Sequence, residues 1–210
     1  MSNPTEQRTQ APGPDPYREA NMENQISLKQ KVEDLQEFMN NCKYSMMTTR
    51  DAQSGNLISR CMALAATETE GIDLIFFTNT QSHKTSEVAS DPHVNIGFLN
   101  SSGEWASISG TSTVDTDREL VKKHYSASLR AWLGDLGDGV HDGKENDPRI
   151  AIMKVRMNSA TYSLLAKGAM GRTKELAKGM AKGTPAHVNS MREITEDEVG
   201  MWRTSASMVQ

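Results

Sequence analysis

The sequence predicts a mainly β (α+β) fold, an open or closed antiparallel barrel with helices at its periphery. Short runs of alternating apolar and polar residues recur through the middle of the chain, and turns rich in glycine, serine and asparagine separate them. Helical periodicity is confined to a few segments around these runs. Strands and helices therefore do not alternate regularly, as they would in a parallel α/β sheet.

The elements follow one another in a simple order. Ser27 is a suitable N-cap for an amphipathic helix that ends near Asn40 and Asn41, and we expect this helix to cover one end of the barrel. Strands are predicted at 44–49, 57–66, 72–78, 94–99, 105–114 and 150–165, and further helices at 83–90, 117–125 and 128–133.

Composition divides the 210 residues into three regions. Residues 1–24 are polar and rich in proline, which predicts a disordered leader. Residues 25–166 form the barrel domain. Residues 167–210 form a tail rich in glycine and lysine with a short C-terminal helix. For the tail, a solvated segment or a strap across a partner subunit is favoured over a membrane or nucleic-acid patch, because glycine weakens helices and aromatic residues are not interleaved.

Charge and composition exclude several classes of function. The net charge of -4 disfavours nucleic-acid binding, and the sequence contains no apolar run long enough to span a membrane. We therefore expect a cytoplasmic protein. Cys42 and Cys61 are predicted to be buried, reduced thiols. The histidine spacing suggests no metal site, and the acidic loop 134–147 lacks the EF-hand pattern, so it is predicted to be a solvated loop.

The first candidate site is a polar turn between a strand and a helix. Residues 76–84 run from an apolar strand to Ser82, His83 and Lys84. Ser82 fits the N-cap, but two basic residues in the first turn oppose the helix dipole unless an anion is bound. Amides, a hydroxyl and a lysine at one helix start suit a phosphate group. The alternative is that Lys84 simply points into solvent.

Arg60 is the second candidate, because strand alternation places it on the same face as Ile58, Met62 and Leu64. A desolvated guanidinium needs an anionic partner. A phosphate shared with Lys84 is the favoured interpretation. An ion pair with a structural carboxylate at the barrel rim is the alternative.

Together these segments resemble the FMN-binding split-barrel family related to pyridoxamine 5′-phosphate oxidase, in the branch of the general stress proteins and the fungal blue-light-induced proteins. The resemblance covers residues 25–165 in the family's order. It rests on Ile58-Ser59-Arg60-Cys61-Met62, Leu74-Ile75-Phe76-Phe77-Thr78, Ser82-His83-Lys84, Asp91-Pro92-His93-Val94 and Trp105-Ala106-Ser107-Ile108-Ser109-Gly110.

The resemblance implies a homodimer of antiparallel split β-barrels with two FMN sites at the subunit interface. Arg60 and Lys84 would hold the phosphate, with Ser82 and His83 assisting from the turn. The remaining cofactor contacts would come from Cys61, Met62, Phe77 and Thr78, largely through backbone groups along the isoalloxazine edge, and from Trp132, near the flavin of the other subunit. Met62 and Phe77 could instead be core residues, Trp132 could pack a helix, and Gly110 could allow either close backbone approach or a β-bulge.

Three functions remain open at this point. The first is an FMN-dependent oxidoreductase with an unidentified substrate, which needs no obligatory catalytic acid or base. The second is a non-catalytic stress protein that binds or sequesters flavin. The third, pyridoxamine 5′-phosphate oxidase itself, is disfavoured because that enzyme is expected to end in Arg-Leu-x-Pro, whereas this chain contains Met201-Trp202-Arg203-Thr204.

Overall fold

An antiparallel sheet organises the computed structural model, which describes residues 15–166 and 169–208. Within them, its strands are β1 (Tyr44–Arg50), β2 (Leu57–Glu68), β3 (Asp73–Asn79), β4 (His93–Leu99), β5 (Trp105–Asp115), β6 (Ile150–Leu165) and β7 (Asn189–Ile194). They are ordered β3-β2-β1-β4-β5-β6-β7, and β3 also pairs with β6, from Asn79 opposite Ile150 to Leu74 opposite Val155. The additional pairing closes six strands into a barrel, which confirms the predicted fold.

Short helices accompany the sheet. They are α1 (Pro16–Asn21), α2 (Leu28–Cys42), α3 (His83–Ser90), α4 (Arg118–His124), α5 (Arg130–Leu133), α6 (Ala169–Lys182) and α7 (Glu196–Ser207), with a 3₁₀ turn at Ala127–Leu129. Ser27 caps α2 by accepting the Gln30 amide at 3.2 Å. Thr195 and Glu198 form a capping box at the start of α7.

The described chain divides into two units, one of residues 15–24 with 164–191 and one of residues 25–163 with 192–208. The barrel belongs to the second. Its strands alternate as expected for a closed sheet, so that β1 buries Ser45, Met47 and Thr49 and turns its intervening side chains outward. Among the largest fully buried side chains are Phe76, Ile96, Phe98, Ile108 and Tyr162.

A second apolar cluster lies on the outer side of β3 and β6. Ile75, Val121, Ile150 and Ile152 are buried there, and Phe77 and Leu133 are among the partly buried residues packed against them. Because Val121 belongs to α4, this helix covers the outer face of the sheet at that point. The hydroxyl of Tyr162 donates to the Lys31 carbonyl of α2 at 2.7 Å, which ties α2 to the barrel.

The first unit departs from the sequence prediction. Residues 15–24, predicted to be part of a disordered leader, contain α1, whose start is capped by Asp15. Asn21 is fully buried and binds the Ala186 carbonyl and the amides of Val188 and Asn189. Pro16 sits in the first helical turn, where proline is tolerated because its missing N–H would be unpaired there in any case. Residues 1–14 lie outside the described residues.

The tail also holds more regular structure than predicted. Despite its glycines, α6 continues to Lys182, and Gly183 then adopts φ +63°. Gly179 allows a close approach, because a Cβ there would lie 2.8 Å from the Thr184 carbonyl oxygen. The glycines thus serve the helix end and the tight return of the chain rather than disorder.

Other expectations have mixed outcomes. The prediction that both cysteines are buried is wrong for Cys61, which is exposed on the outward face of β2, while Cys42 is half-buried.

A β-bulge lies between Ser109 and Gly110, and a Cβ at Gly110 would lie 2.4 Å from the Arg156 carbonyl oxygen. None of the helices in the described ranges combines the length and apolar character needed to cross a membrane.

Candidate functional site

Arg60 lies on the inward face of β2, opposite Met47 of β1, and its guanidinium is held by two neighbours. It donates to the Glu87 carboxylate at 2.6 Å and to the Thr49 hydroxyl at 2.8 Å. Thr49 in turn donates to the other carboxylate oxygen of Glu87 at 2.6 Å. The three side chains therefore form a closed hydrogen-bonded triangle that joins β1, β2 and α3.

Glu87 is the internal carboxylate that the alternative interpretation of Arg60 requires. Its side chain is only 4% exposed, whereas that of Arg60 is 27% exposed. The hydrogen bond from Arg60 is the main influence that lowers the pKa of Glu87, against the opposing effect of burial. Glu87 is thus ionised, and it anchors Arg60 while leaving part of the guanidinium in contact with solvent.

Lys84 adds a second cation to this corner. Its side chain is half-buried, and its pKa is lowered by burial and by the positive charge of Arg60. Among the described residues, no carboxylate lies within ion-pair distance of its ammonium group, although Glu87 exerts a weaker opposing effect on its pKa. Arg60 therefore has an ion-pair partner in this corner, whereas Lys84 has none of its own among the described residues; Asp51 also raises the pKa of Glu87, although its hydrogen bonds are with Ser54.

The turn before α3 differs in detail from the prediction. Ser82 occupies the N-cap position, but its hydroxyl makes no capping bond and donates instead to the Asn79 carbonyl at 2.7 Å. Thr85 donates to the same carbonyl at 3.1 Å. His83 is exposed at the helix start. Without a capping side chain from Ser82, the first amides of α3 remain suited to an anion.

The strand residues predicted to line the cofactor lie on opposite faces. Met62 points inward and is 8% exposed, and Cys61 points outward. Phe77 belongs to the outer cluster beneath α4, so its side chain has the core role that was the alternative. Thr78 is buried, and its hydroxyl has no hydrogen-bond partner among the described residues. Cys61, Met62, Phe77 and Thr78 therefore cannot contact one ligand face through their side chains alone.

Trp132 stands apart from this group. Its side chain is 82% exposed on α5, so it does not pack against a helix as the alternative supposed. Exposure of a tryptophan on a short, structured element is typical of residues that contact a ligand or another subunit.

Sequence reasoning missed three carboxylates that hold arginines. Glu87 pairs with Arg60, Asp73 with Arg203, and Asp147 with Arg149. For Glu87 a signal existed, because it lies three residues after Lys84 and hence on the same helix face. The other two pairs join segments whose proximity depends on the fold or on a loop without periodicity.

A cavity of the barrel unit lies elsewhere. It measures about 650 Å³ and is lined by residues including Thr67, Glu70, Gly71 and Lys123. A second, of about 380 Å³, lies between β1, β4 and β5 beside Arg50 and His93. Arg60 and Lys84 line neither cavity, although the second includes Thr49 of the triangle, and the charged corner stays partly exposed. A ligand bound there would need another surface to enclose it.

Comparisons with known proteins identify the family and the fold. Residues 30–186 match the family model described as pyridoxamine 5′-phosphate oxidase like. Protein bli-3 of Neurospora crassa is 55% identical over 192 residues, covering 91% of this chain and 92% of its own.

Two solved structures share the fold at low sequence identity. A Jannaschia protein described as a general stress protein 26 covers 80% of this chain and 99% of its own, with a TM-score of 0.58 and 19% identity. The general stress FMN/FAD binding protein of Xanthomonas citri covers 67% of this chain and 92% of its own, with a TM-score of 0.54 and 21% identity.

Proposed function

Because the chain belongs to the pyridoxamine 5′-phosphate oxidase-like family, we propose that it is an FMN-binding flavoprotein of the general stress protein type. The observation that carries the proposal is the half-buried Lys84, which feels the positive charge of Arg60 and has no ion-pair carboxylate of its own among the described residues. A phosphate monoester would supply the missing negative charge. The description of the Xanthomonas citri protein as an FMN/FAD binding protein supports the choice of ligand.

The residues at this corner fit the phosphate of FMN. Glu87 fixes one edge of the Arg60 guanidinium, and the partly exposed remainder can donate to phosphate oxygens. Lys84 would contribute a mobile point charge, and the uncapped amides at the start of α3, next to Ser82 and His83, would donate from the backbone. The terminal monoester of FMN carries about two negative charges, which suits this site better than the diester phosphates of FAD.

Backbone groups of β2 and β3 near Cys61, Met62, Phe77 and Thr78 would orient the ring. When bound, the flavin supplies the redox chemistry, while the protein supplies position and electrostatics. No side chain of the described corner needs to act as a catalytic acid or base. We propose an FMN-dependent oxidoreductase of unidentified substrate, with simple sequestration of flavin as the alternative. Sustained oxidation of reduced nicotinamide by the FMN-loaded protein would support turnover, and its absence would favour a flavin-holding protein.

A homodimer would complete the open site. Tyr44 and Met46 of β1, Leu57 of β2 and Leu99 of β4 are 58%, 46%, 68% and 71% exposed on one outward face of the sheet. Apolar patches of this kind mark interaction surfaces, and a second copy of the chain would cover it. We place the FMN at this interface, with Trp132 of one subunit near the flavin of the other.

The proposal also includes a cytoplasmic location, which the two free cysteines support, since unpaired thiols are typical of reducing compartments. Cell fractionation tests this directly. The third candidate, pyridoxamine 5′-phosphate oxidase, is not favoured, because Arg203 of the C-terminal segment is engaged by Asp73 rather than free to clamp a substrate phosphate.

The test distinguishes recognition of the FMN phosphate from recognition of its isoalloxazine ring. Lys84→Met removes the charge but keeps the apolar stem, and Lys29→Met on α2, at a side chain that is 75% exposed, is the matched control. A lost charge-assisted contact is worth about 1.5–3 kcal/mol, so FMN should bind about 10–100-fold more weakly to Lys84→Met. Riboflavin, which lacks the phosphate, should bind both variants alike. Equal FMN binding by the two variants would overturn the phosphate assignment.

A further inference from the structure

The helix that carries Trp132 is too short to be stable on its own. Helix α5 has four residues, Arg130–Leu133, and ends at Gly134, whose φ is +66°. An isolated helix of this length is unstable, because nucleation costs more than its few hydrogen bonds return. The position of the exposed indole must therefore be fixed by residues outside α5.

Arg149 is one residue that holds the end of α5, together with Leu133, which packs against the outer apolar cluster. The Arg149 guanidinium donates to the Leu133 carbonyl at 3.0 Å and to the Gly134 carbonyl at 2.8 Å, the last carbonyls of α5. These groups have no partner within the helix, and a cation at a helix C-terminus also complements the dipole. The side chain is only 6% exposed, so the bonds form in a dry environment.

Asp147 forms an ion pair with Arg149. The two side chains lie 2.6 Å apart, and that of Asp147 is fully buried. The bond from Arg149 lowers the pKa of Asp147 to about 2, so the carboxylate stays ionised. Asp147 also accepts the Gly143 amide at 2.7 Å, which folds the predicted solvated loop back against α5.

The loop 134–147 has little conformational freedom at Gly143. Gly143 adopts φ +72°, and a Cβ there would lie 3.0 Å from the Arg130 side chain and 3.3 Å from the Gly134 carbonyl oxygen. Its carbonyl accepts from the Tyr125 hydroxyl at 3.1 Å. A buried ion pair and this loop therefore support the end of the helix that carries the exposed Trp132.

We propose that Arg149, anchored by Asp147, is a positioning residue that presents Trp132 to the flavin of the neighbouring subunit. This inference rests on the proposed function, because Trp132 is the predicted cofactor contact through which Arg149 acts. The guanidinium donates from separate nitrogens to the carboxylate and to the two carbonyls, a spread of donors that the single ammonium nitrogen of a lysine does not reproduce.

The experiment is a double-mutant cycle on the full chain. The variants are Arg149→Lys, Trp132→Ala and their combination. The control is Arg130→Lys, because Arg130 also belongs to α5 but forms an exposed ion pair with Asp135, which follows the helix. Arg149→Lys keeps the charge beside Asp147. We expect it to weaken FMN binding about tenfold, and to change binding less than about twofold when Trp132 is already alanine. Additive losses would mean that Arg149 does not act through Trp132 and would overturn the inference.

A second measurement needs no flavin. With Trp105→Phe and Trp202→Phe, Trp132 is the only tryptophan, and its time-resolved anisotropy reports local motion. Arg149→Lys should increase the fast component at least about twofold, while Arg130→Lys should leave it unchanged. An unchanged component in Arg149→Lys would also overturn the inference. If the unsubstituted protein bound no FMN, the proposed function would fail, and this measurement would still decide whether Arg149 positions Trp132.

Discussion

Two arginine–carboxylate pairs of the barrel unit differ in how well their charges are matched. Arg203 and Asp73 form a bidentate pair at 2.9 and 2.6 Å, and Arg203 also donates to the Met157 carbonyl. Arg60 and Glu87 are equally close, but Lys84 adds a further positive charge. We call the Arg203 pair balanced, because one carboxylate matches one cation, and the Arg60 pair unbalanced, because Lys84 is a second cation beside it. We therefore interpret Arg203 as a structural arginine and Arg60 as an arginine that binds an anion.

The largest expected effect concerns the balanced pair. Arg203→Met would leave Asp73, whose side chain is 4% exposed, without its cationic partner. Breaking a buried pair in this way costs about 3–5 kcal/mol of unfolding free energy. Urea unfolding measures the loss, and FMN affinity of the remaining folded protein should be unchanged. A loss below about 1 kcal/mol would show that Asp73 is easily resolvated.

A smaller loss is expected at the unbalanced corner. Arg60→Met also leaves a buried carboxylate, Glu87, but the 27% exposure of Arg60 shows that solvent reaches the pair. We expect a loss of about 2–3 kcal/mol in urea unfolding. Arg60→Met combined with Glu87→Met should recover most of it, because neither charge is then stranded. Stability of the double variant equal to that of the single one would contradict the pairing.

Lowering the pH should reduce the free energy of unfolding, because it protonates carboxylates that are paired in the folded state. Hydrogen bonding from Lys154 is the main influence that lowers the pKa of Glu68 from 4.5 to about 2. Because the folded-state pKa lies below the unfolded one, the stabilisation is present above about pH 4.5 and is lost as the pH falls towards 2. Urea midpoints at pH 6 and pH 3 measure it. In Glu68→Gln the difference between the two midpoints should shrink, and an unchanged difference would contradict the assignment.

These effects also show which parts of the molecule could be read from the sequence. The barrel strands and α2 followed from alternation and periodicity, since each pattern directly reflects which face is buried. Ser27 was a recognisable cap because a cap depends on residues a few positions away. The additional β3–β6 pairing that closes the barrel is long-range, and the family resemblance rather than local pattern pointed to it.

The candidate site was predictable in part. Arg60 stood out as a charge on an apolar strand face, and Lys84 as a base at a helix start. The Glu87 partner of Arg60 depends on how α3 packs against the barrel, which local spacing does not determine. The order in 15–24 was missed because Asn21 is held by residues about 165 positions away. Such contacts leave no local pattern.

The smallest expected change in stability is at Lys84 itself. Burial and the charge of Arg60 lower the pKa of Lys84, so its charged form is disfavoured by folding. Lys84→Met should therefore leave the unfolding free energy within about 0.5 kcal/mol of the original or raise it slightly. A clear destabilisation in urea would mean that Lys84 is part of the structural pair rather than a residue kept for a ligand.

The most direct measurement is a ³¹P NMR titration of FMN bound to the protein. A free phosphate monoester gains a proton near pH 6, about where its second ionisation lies. If Arg60, Lys84 and the start of α3 neutralise the group, the bound phosphate should remain a dianion down to about pH 5, and Lys84→Met should move its titration back towards 6. A bound phosphate that titrates near pH 6 in both proteins would contradict the account.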